Sequence, residues 1–367
     1  MNDIILLKKS KQKLIVEKKR VLSGIRATGR LHLGNYFGAV KGMLELQDNS
    51  EYETLYMVAD IHTITTPYNV EELRKNRREV ILDYLAAGLD PEKSVIFQQS
   101  EVGEHTQLAF YLSSVVTIAK MQHLPTFKEK VKQYPEHATL ALLNYPALMA
   151  ADILLYKASL VPVGIDQEPH LEVAREIARR FNQDYGTDFP EPQRFKTSGE
   201  YVPSLVGDGK KMSKTVEGSY INLTDDLETI RKRIAKIPTD SGGGVGARLI
   251  HDQTEPITLD KIEVHNQTHT DSQKGTETIF EYVELFQGVD KRRLYEQQYI
   301  TTGVRYGDIK QELSEAIFNE LRPMQEKRRE LEANSEYVDK VIREGAEKAR
   351  TIAQETILEV RQKMGLK

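Results

Sequence analysis

Ser23-Gly24-Ile25-Arg26-Ala27-Thr28-Gly29-Arg30-Leu31-His32-Leu33-Gly34-Asn35-Tyr36 carries the chain from a strand through a glycine-punctuated turn into a new helix. Three glycines let backbone approach a ligand closely, and a helix N-terminus offers unpaired N–H groups to an anion. His32 and Asn35 add side-chain donors there. Taken alone, the same stretch also reads as a helix cap with a surface histidine. Around it, the first half of the chain alternates short β-rich runs with helical segments, the order of a parallel sheet wrapped by crossover helices. Strands are expected at Val21–Ile25, Thr54–Asp60, Ser94–Gln98 and Leu160–Val163. From Glu71 to Ala87, Leu73, Arg77, Val80, Ile81, Tyr84 and Leu85 keep a helical spacing.

The expected fold class is therefore α/β, a doubly wound Rossmann-like parallel sheet followed by a mainly α-helical C-terminal domain, with ligands beyond the carboxyl ends of the strands. After Lys214 strand signals fade, and charged helical periodicity dominates from Asp308. The expected division is a basic extension over 1–20, a catalytic domain over 21–215 and a helical domain over 216–367, the last helix packing back on the catalytic domain. Ser241 to Gly246 and His265 to Lys274 read as loops. A chain of 367 residues with 39% apolar content suits two domains. The absence of cysteine removes disulfides and thiol chemistry, so nothing requires an oxidising compartment and the cytoplasm is expected. No stretch approaches the roughly 18 apolar residues of a membrane span. A charge of −4 argues against indiscriminate coating of nucleic acid, leaving any RNA site regional. The leading twenty residues read as a solvated tail, the alternative being an RNA-contacting arm.

Three further segments carry chemistry. Gly209-Lys210-Lys211-Met212-Ser213-Lys214-Thr215 is a loop whose lysines can follow phosphate charge as movable point charges, or simply face solvent. At Tyr145, Met149, Asp152 and Tyr156, spacings of four, three and four place the side chains on one helix face. Asp152 then lies among apolar neighbours, where a carboxylate needs donors to offset its desolvation. Gly164-Ile165-Asp166-Gln167 follows a strand and opens an amphipathic helix, so Asp166 reads as an N-cap, a ligand contact, or both.

His32-Leu33-Gly34-Asn35 and Lys211 to Thr215 together resemble the "HIGH" and "KMSKS" elements of class I aminoacyl-tRNA synthetases. The wording TGRLHLGNY is similar to the bacterial tryptophanyl branch. Matches extend through Ala59-Asp60-Ile61-His62, Thr126 to Lys130, Tyr145 to Asp152, Val161 to Gln167 and Glu344-Gly345-Ala346. The resemblance implies activation of L-tryptophan with ATP, Mg²⁺ entering through ATP, transfer to tRNA(Trp), and a homodimer. It implies Leu22, His62, Tyr145, Met149, Asp152, Val161, Val163 and Gln167 as the tryptophan pocket, Asp152 accepting from the indole N–H. It implies ATP contacts at Arg26, Ala27, Thr28, Gly34, Asn35, Gly164, Ile165, Asp166, Val202, Lys211, Met212, Ser213, Lys214 and Thr215. His32, Asn35, Lys130, Lys211 and Lys214 would serve catalysis, with no dedicated metal ligands.

The chain departs from its relatives at Arg26-Ala27, where most have Gln-Pro, and at Ile165, where most have Glu. Leu22 replaces an aromatic residue, and Thr215 a serine. Nucleotide contacts are thus expected to differ in detail. The helical half, with basic positions such as Arg231, Lys232, Arg233, Arg328 and Arg329, is the expected anticodon reader, although charged helices also read as solvated faces and no base contact is assigned. The competing readings are a tyrosyl-type enzyme and a catalytically silent paralogue that binds RNA or tryptophan.

Overall fold

A computed structural model describes residues 18–164, 167–196, 201–207, 209–214, 216–243 and 271–367. The extension as far as residue 17, Gly244 to Gly246 of the glycine run and residues 265–270 of the polar run lie outside the described residues, while Asp271 to Lys274, expected as loop, open a helix instead. Five parallel strands form one sheet in the order β3-β2-β1-β4-β5. They are β1 (Lys19–Arg26), β2 (Tyr52–Ala59), β3 (Ser94–Gln98), β4 (Leu160–Val161) and β5 (Gln193–Arg194). The expected strands are present, β1 beginning two residues earlier and β4 ending two residues sooner. Arg20 is thus part of β1, where its Nε lies 2.8 Å from Glu53 Oε2 on β2. The strand order reverses between β1 and β4, which opens a crevice at their carboxyl ends.

Alternate residues divide each strand between two apolar cores. Tyr56, Val58 and Ile96 face one; Leu55, Met57, Ala59 and Phe97 face the other. On the first face lies α3 (Val70–Ala86), which starts where Asn69 accepts from the Glu72 N–H at 3.0 Å and buries Val80, Ile81, Tyr84 and Leu85. It follows α1 (Leu33–Asn35) and α2 (Lys41–Gln47), which the residues between them join as one wider helical turn. On the second face lie α4 (Glu104–Ser113), α5 (Ile118–His123), α6 (Pro125–Gln133), α7 (Leu140–Leu155) and α8 (Glu168–Tyr185).

The remaining described helices are α9 (Leu227–Ala235), α10 (Asp271–Gln287), α11 (Val289–Thr301), α12 (Tyr306–Ala333) and α13 (Ser335–Lys363). α13 does return to the sheet, burying Ala349, Ala353, Ile357 and Val360 in the second core. Its Gly345 is dictated by that approach: a Cβ there would stand 1.8 Å from the Ile96 carbonyl oxygen. The first core runs from Leu31 through Val80 to Ile230, Phe280 and Leu313, so apolar packing is continuous across position 215. Among the described residues no helix is long and apolar enough to cross a membrane.

Candidate active site

At the crevice beside β1 and β4 lies a cleft of about 410 Å³. Leu22, His62, Tyr145, Met149, Asp152, Val161, Val163 and Gln167 all line it, so the structure brings together every expected pocket residue. Helical spacing explains part of this, since α7 presents Tyr145, Met149 and Asp152 on one face. The rest comes from β1, β4 and the turn after β2, which meet only through the parallel topology.

Asp152 is 3% exposed and its carboxylate is held from three sides. Gln99 Nε2 donates to Oδ1 at 2.7 Å and His105 Nδ1 to Oδ1 at 2.6 Å, while His62 Nε2 donates to Oδ2 at 2.8 Å. Burial pushes the acid up, but the hydrogen bonds from His105 and His62 outweigh it and hold the carboxyl at about 2. An ionised carboxylate oxygen has two lone pairs. Oδ1 has both engaged by these partners, and Oδ2 keeps one for a donor entering the cleft.

Gln99 and His105 were not singled out by the sequence. Gln99 sits just past the carboxyl end of β3, where its Oε1 accepts from the Ile61 and His62 N–H groups at 3.1 and 3.3 Å. That engagement turns its amide N–H₂ toward Asp152. His105 on α4 is fully buried and bridges Asp152 to the Tyr156 hydroxyl, 2.8 Å from its Nε2. The usable sequence signal was a polar Gln98-Gln99-Ser100 run at a parallel strand's carboxyl end. His105 gave none, because an isolated histidine on an amphipathic helix is as readily an ordinary core residue.

Beyond the pocket, Tyr145 Oη lies 2.5 Å from His170 Nε2, and His170 Nδ1 lies 3.1 Å from Gln167 Oε1. His170 therefore orders two expected pocket residues. Gln167 is also the N-terminal boundary of α8, its N–H donating to the Gly164 carbonyl at 3.1 Å. Arg26 and Lys130 reach the same cleft as cations. Arg26 Nη2 donates to Thr66 Oγ1 at 3.0 Å, and its buried Nε is without a partner.

The two motif segments pack directly on one another. The Gly34 N–H donates to Met212 Sδ at 3.3 Å. A Cβ on Gly34 would stand 2.9 Å from the His32 ring and 3.3 Å from Met212 Cβ, so the approach requires glycine. Asn35 Oδ1 accepts from the His32 N–H at 3.2 Å, fixing the turn. Burial, followed by the charges of Lys214 and Lys211, lowers His32 to about 3 and keeps its ring neutral. Its buried Nδ1 has no partner. The Lys214 ammonium donates to the Arg30 carbonyl and, at 3.4 Å, to that of Thr28, while Lys211 is exposed.

Other expected nucleotide contacts are placed differently. Ala27 and Val202 are buried in the first apolar core, which leaves only their backbone for a ligand. Thr28 and Gly164 are exposed, and Ser213 is half-buried. Ile165, Asp166 and Thr215 lie outside the described residues. Arg328 corrects one expectation: it is 3% exposed, paired with Asp83 and Glu79, and cannot read RNA. Burial of its aliphatic stem in α12 was not visible in a sequence where every neighbouring residue is charged.

Comparison with known proteins agrees with this geometry. The family model described as tRNA synthetases class I (W and Y) matches residues 16–322. The chain is 39% identical to the tryptophan–tRNA ligase of Porphyromonas gingivalis over 95% of its length and 99% of the relative's. It is 39% identical to that of Fusobacterium nucleatum, covering 95% and 98%. Among solved structures, tryptophanyl-tRNA synthetase from Campylobacter jejuni complexed with ADP and tryptophan superposes with TM-score 0.78 at 32% identity, over 94% of this chain and 99% of that one. With matching sequence, fold and motif contacts from end to end, the chain belongs to the class I tRNA synthetases of the W and Y branch.

Proposed function

We infer that this chain is a tryptophan–tRNA ligase, which activates L-tryptophan with ATP and transfers it to tRNA(Trp). The observation that carries the reading is Asp152, the one acid among the described residues lining the cleft and held ionised beside Leu22, Met149, Val161 and Val163, within a chain collinear with tryptophan–tRNA ligases. Its remaining Oδ2 lone pair accepts the indole N–H, while Leu22, Met149, Val161 and Val163 enclose the ring. Phenylalanine would leave the carboxylate short of a donor, and sites of this kind discriminate by roughly 10⁴ to 10⁵ without editing.

The tryptophan carboxylate attacks the α-phosphate of ATP, pyrophosphate leaves, and a terminal ribose hydroxyl of the tRNA then displaces AMP. His32 Nδ1 and Arg26 Nε, both buried without partners, fit an anionic ligand in the tautomer that carries the imidazole proton on Nδ1. His32 acts here as a neutral hydrogen-bond donor and not as a cation. Lys130, Lys211 and Lys214 stabilise charge growing on pyrophosphate, and Mg²⁺ entering with ATP would supply further charge neutralisation to the phosphate oxygens. No covalent nucleophile is needed, since positioning and charge stabilisation supply the rate.

A homodimer is supported by large apolar side chains on helices that pack together: Phe110 on α4 is 75% exposed, Ile118 on α5 66% and Leu140 on α7 83%. Replacing Phe110 and Leu140 together by Glu should convert dimer to monomer in sedimentation. A chain that charges tRNA works beside the ribosome, which argues for the cytoplasm. ATP–pyrophosphate exchange run with each amino acid tests the activity. Exchange dependent on tryptophan is expected; exchange dependent on tyrosine, or none, would replace this reading with a tyrosyl enzyme or a silent binding protein.

A further inference from the structure

One peptide unit in the glycine turn is gripped at both ends by opposite charges. Its N–H, that of Leu31, donates to Asp83 Oδ2 at 2.6 Å. Its carbonyl, that of Arg30, accepts from the Lys214 ammonium. Asp83 on α3 is 2% exposed, and its other oxygen pairs with Arg328 Nη1 from α12. Arg328 also binds Glu79 Oε2 at 2.6 Å and Glu332 Oε1 at 2.9 Å, and Glu79 in turn holds Arg30 Nε at 2.7 Å. A carboxylate on the N–H side polarises the peptide and strengthens the bond its carbonyl makes to a cation.

We propose that Asp83, held by Arg328, is a positioning residue that fixes the Arg30–Leu31 peptide as the resting seat of the loop lysine Lys214, linking α12 of the helical half to the reacting loop. The inference rests on the ligase reading and assigns no substrate contact to either residue. The groups around the seat are Asp83 and Glu79 from α3, Arg328 and Glu332 from α12, Arg30 and His32 from the turn, and Lys211 from the loop. Burial lowers Lys214 to about 8, and the Asp83 charge opposes that fall. Burial raises Asp83 to about 6, with Arg328 opposing, so Asp83 is ionised wherever Lys214 titrates. Removing the Asp83 charge must then move Lys214 further down.

The test is kcat/KM for ATP in tryptophan-dependent pyrophosphate exchange, at saturating tryptophan, followed through about pH 7 to 9.5, where the basic limb reports the enzyme before ATP binds. Asp83→Asn should move that limb to lower pH by on the order of half a unit. Should Arg328 left without its partner impair folding, Asp83→Asn combined with Arg328→Gln removes both charges and should show a shift in the same direction but smaller, because loss of the more distant Arg328 cation partly offsets loss of the Asp83 anion. Arg328→Lys keeps the pairing charge and should leave the limb in place. Lys214→Arg should abolish the limb. A limb that stays put in both Asp83 variants while thermal stability falls would reduce Asp83 to a structural role and overturn the proposal, as would a limb that Lys214→Arg leaves intact. Exchange missing from the unaltered protein would instead refute the ligase reading.

Discussion

Asp152→Asn isolates the charge on which the proposed choice of substrate rests, because it keeps the side chain's shape. The amide must put its N–H₂ on one side. Placed at Oδ1 it would face the Gln99 amide and His105 Nδ1, which now donate at 2.7 and 2.6 Å. Gln99 cannot turn over without releasing the Ile61 and His62 N–H groups. The amide nitrogen is therefore driven to the Oδ2 position, where the neighbour is the single ring nitrogen of His62 at 2.8 Å. A donor then meets the indole N–H. Hydrogen bonds to a charged partner are worth about 1.5–3 kcal/mol, so tryptophan should bind about 10- to 150-fold more weakly. The chain contains no tryptophan, so fluorescence of the bound amino acid, excited to the red of tyrosine, reports equilibrium binding directly. ATP binding should be unchanged. Tryptophan affinity within about twofold of the unaltered protein would refute the reasoning, since twofold is about 0.4 kcal/mol, well under the usual worth of a hydrogen bond to a charged group.

Other expected outcomes follow from the motif contacts. Lys214→Ala should depress adenylate formation with tryptophan affinity retained, read by pre-steady-state exchange against the same fluorescence titration; equal loss of both would count against its role. Gly34→Ala forces a Cβ to within 2.9 Å of His32 and 3.3 Å of Met212. It should cost about 1–3 kcal/mol in denaturant unfolding and raise the KM for ATP. His32 titrates at about 3 when folded and at about 6.5 when unfolded. Its contribution to stability is thus complete above about pH 6.5 and is lost as pH falls toward 3. His32→Gln should flatten that part of the thermal stability profile, and an unchanged profile would show that the ring takes up its proton as readily in the fold as in the unfolded chain.

How much of this was legible in the sequence depended on the range over which the information acts. Strands β1 to β4 and helix α3 announce themselves through local alternation and periodicity. β5, only Gln193–Arg194, is too short and too polar to do so and exists because β4 offers it an edge. On α7, spacing alone aligned Tyr145, Met149 and Asp152. The donors that keep Asp152 ionised come from 47 and 90 residues upstream, at His105 and His62, and only the folded sheet brings them together. Arg328 shows the reverse failure: composition suggested an exposed basic helix, whereas the nearest available counter-charge was Asp83, 245 residues away on a buried helix face.

A crystal structure with tryptophan bound would test the substrate assignment most directly. The account places the indole nitrogen within about 2.7–3.2 Å of Asp152 Oδ2, with the ring between Leu22, Met149, Val161 and Val163 and with Gln99, His105 and His62 still donating to the acid. An indole turned the other way, its nitrogen bonded elsewhere and the carboxylate engaged only by those three internal donors, would contradict it.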